Sequence, residues 1–253
     1  GGGLNNITQH ESHFSKRDLV RRTAEEAQGR GIGAEHVLSA VENYLKHSPE
    51  IIRLGLYNDE LRYTTKEMLE LERQMLNRVS QSKTSRTQLI SERAAHAALD
   101  KHETLSAEQR QAVLHITTTE GAVKVVSGMA GTGKSFMLNV SREIWESAGY
   151  RVYGAALSGK AAQGLEHGAG IKSDTLHKLL LEIKRSETPL GRKSVVVIDE
   201  AGMVGTRQMH ALVEAVTSSG AKLVLVGDAK QLQPVEAGGP FGAIARRIGQ
   251  AEL

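Results

Sequence analysis

The stretch Val123 to Phe136, "VKVVSGMAGTGKSF", decides how the rest of the chain reads. The apolar run "VKVVS" leads straight into Gly128, Gly131, Gly133, Lys134 and Ser135, and then into "FMLNVSREIW", which has helical spacing. A strand that becomes a helix through GxxxxGK[ST] is a phosphate-binding loop. Its glycines let successive backbone N–H groups face inward, and the helix N-terminus adds positive potential toward an anion. Gly128, Gly131, Thr132, Gly133 and Phe136 then belong to the nucleotide contact, Lys134 neutralises the terminal phosphates, and Ser135 holds Mg²⁺. A dinucleotide-binding loop would need GxGxxG spacing with an acidic residue about 20 positions on, and it fits worse.

Outward from this loop the rhythm is strand and helix in alternation. "RVYGAAL", "SVVVID" and "KLVLVGD" are apolar enough for strands buried on both faces, and helices are expected at 134–148, 158–166, 174–185 and 206–218. That is an α/β parallel sheet covered on both sides. The first half differs. "SKRDLVRRTAEEAQGRG" and "GAEHVLSAVENYLKH" have helical stripes, "IIRLGL" and "ELRYTT" suit a hairpin around Asn58-Asp59, and "TKEMLELERQML" is helical again. A small, mostly helical, winged-helix-like domain over 1–103 is therefore expected before an α/β domain over 104–253. "NRVSQSKTSRTQ" is a helix end and connector, and "LISERAAHAALDKHETLS" a further helix.

The chain has 253 residues, enough for one or two domains, and no cysteine, which excludes disulfides and thiolate metal sites. No apolar run reaches the roughly 18–20 residues that span a bilayer, so no membrane insertion and a cytoplasmic location are expected. Lys and Arg balance Asp and Glu at 15 each in residues 1–103, against 17 and 14 from 104 onward. This excess is too small to indicate nucleic acid by itself.

Two further marks follow the loop. "SVVVIDEAGM" ends a buried strand in Asp199-Glu200, which offers one carboxylate to a Mg²⁺ shell and a second to polarise an attacking water. "LVLVGDAKQLQPV" ends another strand with Gly227-Asp228, followed by Gln231, whose amide can sense the terminal phosphate. Lys134, Asp199, Glu200 and Gln231 are the candidate catalytic residues.

At this point the chain resembles superfamily 1 helicases, whose third motif reads GDxxQLxPV. The resemblance extends to "LSAEQRQAV", similar to the adenine-recognising Q motif, which would give Gln109 the base contact; an ordinary amphipathic helix is the alternative. "GAALSGKAAQGL" and "SDTLHKLL" resemble two motifs that would place Ser158, Lys160, Thr175 and His177 near the DNA backbone. Taken singly, Thr175 is equally a helix cap and His177 a satisfied buried histidine. The 1A group sets an aromatic after the third motif, whereas this chain has "LQPV" and 4% aromatic residues. Base stacking is then not the main grip here.

The pattern is closer to the 1B group, which includes RecD and the helicase segments of TrwC/TraI/TraA-type conjugative relaxases. "HFSKRDL" and "LRYTTKEMLELERQML" resemble the segment joining relaxase and helicase in those proteins. The resemblance implies a RecA-like fold, ATP and Mg²⁺ as cofactors, single-stranded DNA and other conjugation proteins as partners, and 5′ to 3′ movement. A relaxase histidine cluster and tyrosine are not found; His10 and His13 form only "HESH". A half-motor without its second RecA-like domain is the expectation. A RecD-type repair helicase, a non-catalytic DNA-docking domain and an AAA+ ATPase are the alternatives, the last leaving "GDAKQLQPV" unexplained.

Overall fold

The computed structural model describes residues 13–28, 30–57, 59–228 and 239–253. Contacts divide the chain into two units, 1–74 with 205–207, and 75–204 with 208–253.

The smaller unit runs through β1 (Phe14–Ser15), α1 (Lys16–Ala27), α2 (Ala34–His47), β2 (Ile51–Tyr57), β3 (Glu60–Thr65) and the start of α3 (Lys66–Gln81). Ser15 caps α1 because its hydroxyl accepts from the Asp18 N–H at 3.1 Å while the Asp18 carboxylate accepts from the Ser15 N–H at 2.9 Å, a reciprocal box. The strands form an antiparallel sheet ordered β1-β3-β2. Phe14, Leu19 and Val41 make its core, and the Phe14 ring stacks on Tyr63 at 6.2 Å. The helix, helix, hairpin, helix order is the one expected from sequence. Strand β1 is the addition, and two residues carry no alternation that could announce it. Asn58 of the expected turn lies outside the described residues, and Asp59 beside it has φ 59°.

The larger unit continues with α4 (Glu92–Leu99), α5 (Ala107–Thr118), β4 (Val123–Ser127), α6 (Lys134–Ser147), β5 (Arg151–Ala156), α7 (Gly159–Ala169), β6 (Ser173–Thr175), α8 (Leu176–Lys184), β7 (Ser194–Ile198), a 3₁₀ turn (Ala201–Met203), α9 (Thr206–Ser219), β8 (Lys222–Gly227), α10 (Gly239–Ile248) and β9 (Ala251–Glu252). The six strands are parallel in the order β6-β5-β7-β8-β4-β9. Side-chain alternation splits the strands between two cores. Val195, Val197, Val224 and Val226 face Met137, Leu138 and Trp145 of α6, while Val196, Ile198, Leu223 and Leu225 face Leu212 and Val216 of α9 and Phe241 of α10. Each fully buried side chain of this kind contributes about 1.5–3 kcal/mol over its exposed state.

All four strands read from the sequence are present. The helix expected over 89–106 is limited to Glu92–Leu99, where Ser91 caps it by accepting from the Ala94 N–H at 3.3 Å. Ala95 and Leu99 of α4 join the first core, and Met75 and Val79 of α3 join the second. Residues 75–103 thus pack with the sheet unit.

Below the sheet, at the starts of its strands, Lys222 is fully buried and donates to the Ile116 carbonyl at 2.9 Å. Burial, and then the charge of Lys124, push its amine down to about 7 from 10.5. Burial, then Lys124 and Lys222, push His115 down to about 4 from 6.5. For a base with a depressed folded pKa, the unfolded chain holds the extra proton between the two values, so stability rises with pH across that window. Urea unfolding is expected to show stability rising from pH 4 to 6.5 through His115 and again from pH 7 toward 10.5 through Lys222. Lys222→Met should flatten the upper rise, which is worth up to about 5 kcal/mol at about 1.4 kcal/mol per unit. An undiminished slope in that variant would clear Lys222 of this role.

Candidate nucleotide site

Parallel order places the C-terminal ends of β4, β8 and β7 side by side. They carry, respectively, the loop 128–133, Asp228 and Asp199-Glu200. Between β4 and β5, its successor in sequence, lie β8 and β7, so the connections diverge and open a crevice where open α/β sheets bind ligands. A cavity of about 280 Å³ sits there, lined by Ala130, Lys134, Glu200, Gly202, Met203, Gly227 and Asp228.

The loop is built for an anion. Helices α5, α7 and α8 start at Ser106, Ser158 and Thr175, whose hydroxyls cap backbone N–H groups of the first turn. Helix α6 starts at Gly133, which supplies no side-chain cap. The first N–H groups of α6 have no partner within the helix, and together with the terminal positive potential they suit a phosphate. Gly133 has φ 78°, and a Cβ there would stand 2.2 Å from the Gln109 amide nitrogen. The positive φ favours glycine, and any Cβ would push the Gln109 amide off the loop. Gln109 donates to the Thr132 carbonyl at 2.9 Å and accepts from the Ser106 N–H at 3.0 Å, tying the loop to the start of α5. Lys134 Nζ donates to the Gly128 carbonyl at 2.8 Å across the loop.

At the end of β7 the Asp199 N–H continues the ladder to the Ala155 carbonyl at 3.0 Å. Glu200 then adopts φ 53° and ψ 33°, a left-handed conformation uncommon for a non-glycine residue, and its N–H donates to Asp199 Oδ1 at 2.9 Å. Strain of this sort costs about 1–3 kcal/mol and gathers at functional sites. Here it turns the chain so that Glu200 lines the cavity. Ser135 is exposed in the first turn of α6. No group of three or more His, Asp or Glu able to hold a metal occurs among the described residues. A serine hydroxyl and a carboxylate are hard oxygen donors, and so few protein ligands suit Mg²⁺, which keeps waters and shares phosphate oxygens.

The Phe136 ring meets His102 edge-on at 5.9 Å rather than lining the cavity. Ser158, Lys160, Thr175 and His177 gather at the β5-β6 edge, where Ala156 pairs with Thr175. Ser158 Oγ accepts from the Ala161 N–H at 3.1 Å and Thr175 Oγ1 from the Lys178 N–H at 3.3 Å, so both are helix caps. His177 and Lys160 are exposed, and His177 is not a core histidine. Gln231 lies outside the described residues. Gly202, Met203 and Asp228 are cavity-lining residues that the motif reading did not assign. Asp228 was visible as the polar end of "KLVLVGD", whereas Gly202 and Met203 reach the cavity only through the turn at Glu200.

A family model described as an AAA domain matches residues 104–253. The probable conjugal transfer protein TraA of Sinorhizobium fredii is 42% identical over 99% of this chain, which spans 23% of that relative's length. The RecD2 DNA helicase of Deinococcus radiodurans is 36% identical over 48% of the chain and 18% of its own length. The multifunctional conjugation protein TraI of Escherichia coli is 29% identical over 68% of the chain and 10% of its own length. Among solved structures, the UvsW helicase of bacteriophage T4 overlaps 67% of this chain and 68% of its own at a TM-score of 0.48 and 11% identity, too slight a likeness to add to the sheet order itself. The chain belongs to the AAA-domain family, and it is similar to the matching stretches of TraA, RecD2 and TraI.

Proposed function

We propose that the chain is the nucleotide-binding and hydrolysing half of a superfamily 1B DNA helicase that works in conjugative plasmid transfer, moving 5′ to 3′ along single-stranded DNA, with 104–253 as the motor domain. The carrying observation is the convergence of loop 128–133, Lys134 and Glu200 on one crevice at three adjacent strand ends. Similarity to TraA over 99% of the chain, against 48% for RecD2, favours conjugation over repair.

In this reading the phosphates of ATP lie on the loop, Lys134 exchanges the Gly128 carbonyl for them, and Gln109 holds the loop from the base side. Ser135 and Asp199 would hold Mg²⁺, which when bound disperses charge on the phosphates. Glu200 orients the attacking water and accepts its proton, and Gln231 senses the terminal phosphate. Ser158 and Thr175, with their oxygens already committed as cap acceptors, keep their hydroxyl hydrogens for DNA phosphates. Lys160 adds a charge and His177 a ring N–H.

Such contacts position a strand without reading its bases. Lys160→Ala should therefore weaken single-stranded DNA binding equally for unrelated sequences and lower the salt slope by about 0.7 per lost phosphate contact. Fluorescence titrations at several salt concentrations check this. Loss confined to one sequence, or an unchanged slope, would defeat the DNA assignment.

A further inference from the structure

The helices α6 and α7 touch at Ser135 of the phosphate-loop motif and Gly168, a residue that no motif covers. A Cβ placed on Gly168, in the last turn of α7, would stand 2.9 Å from Ser135 Cβ and 3.0 Å from Ser135 Oγ. Ordinary contact between carbon atoms is about 3.5–4.0 Å. The hydroxyl could rotate away, but the Ser135 Cβ is fixed by its helical backbone.

Helix α7 has little room to retreat. Its Ala169 is fully buried and Leu165 nearly so. The Ala169 carbonyl accepts from Arg142 Nε of α6 at 3.1 Å, and Arg142 is itself held by Asn139 Oδ1 at 2.9 Å. Gly170 ends the helix in the left-handed conformation, with its N–H bonded to the Glu166 carbonyl at 2.9 Å. The end of α7 is thus pinned to α6 one residue beyond Gly168. Relief of any added bulk falls on the first turn of α6, where Ser135 sits.

We propose that Gly168 is a positioning residue: the bare backbone of α7 at this point sets where the Ser135 hydroxyl stands, and so whether it can join a Mg²⁺ shell. The inference rests on the reading of 128–135 as the nucleotide site. Mg²⁺ requires near-ideal octahedral geometry with oxygens at about 2.0–2.1 Å, so a displacement of about half an ångström at one ligand is enough to degrade it. Lys134 and the first N–H groups of α6 share that turn, but a long flexible amine and hydrogen bonds to phosphate tolerate such a shift better than a metal ligand held at about 2.0–2.1 Å, so the effect falls chiefly on the metal-dependent part of binding.

The test is calorimetric titration of ATP into the wild type and Gly168→Ala, each in excess Mg²⁺ and in EDTA. Wild type should bind more tightly with Mg²⁺. The variant should lose about tenfold of that metal-dependent gain, about 1.4 kcal/mol, with a clearly smaller loss in EDTA. Retention of the full gain, or an equal loss with and without Mg²⁺, overturns the inference. A wild type that binds no nucleotide in either condition overturns the site reading and this inference with it. Should Gly168→Ala fold poorly, its cost in melting temperature is compared in the wild type and in Ser135→Gly. A smaller cost in Ser135→Gly supports the contact, and an equal cost in both removes it.

Discussion

Glu200→Gln is expected to slow ATP hydrolysis by about 10²–10⁴-fold, the usual contribution of a general base, with nucleotide affinity unchanged. The substitution keeps size and shape and removes only the ability to take a proton. Glu200 lines the same cavity as Lys134, on a left-handed turn whose N–H is tied to Asp199. Because the backbone places the side chain, glutamine should occupy the same position. Steady-state turnover with saturating ATP and single-stranded DNA reads the loss. Turnover at the wild-type rate would remove Glu200 from the chemistry and leave its strained backbone without a catalytic reason.

Lys134→Ala is expected to weaken ATP binding tenfold or more, since a hydrogen bond to a charged group is worth about 1.5–3 kcal/mol. In the free protein Lys134 donates to the Gly128 carbonyl at 2.8 Å, so binding exchanges one acceptor for a more strongly charged one. The exchange trims the gain, which is why the estimate starts at the lower end of that range. Alanine is a good helix former, and the position begins α6 after a glycine that already closes the turn. The fold should survive, and equal melting temperatures would confirm that the affinity loss is local. Equal ATP affinity in both forms would contradict the assignment of Lys134.

Much of this architecture was legible in the sequence because its signals are local. Strands β4, β7 and β8 are short apolar runs covered on both faces and β5 is mostly so, and their brevity between helical segments marks them as strands. The loop and the Asp199-Glu200 pair were legible because backbone geometry and charge at a strand end require particular residues at fixed spacing. Strands β6 and β9 were not, since three and two residues are too few for periodicity and their place is set by pairing with Gly154–Ala156 and Val126–Ser127. Helix α10 begins with Gly239-Pro240, a pair that signals a turn, although Phe241 and Ile244 behind it complete the second core. The contact of Gly168 with Ser135 joins residues 33 positions apart, and only the packing of α6 on α7 brings it into view.

The central claim is that loop 128–133 holds the phosphates of a nucleotide. A crystal structure with Mg²⁺ and a non-hydrolysable ATP analogue tests it most directly. The account predicts phosphate density against the first N–H groups of α6, Lys134 Nζ turned from the Gly128 carbonyl to the terminal phosphates, and Mg²⁺ beside Ser135. Nucleotide bound elsewhere on the chain, with Lys134 still on Gly128, would contradict it.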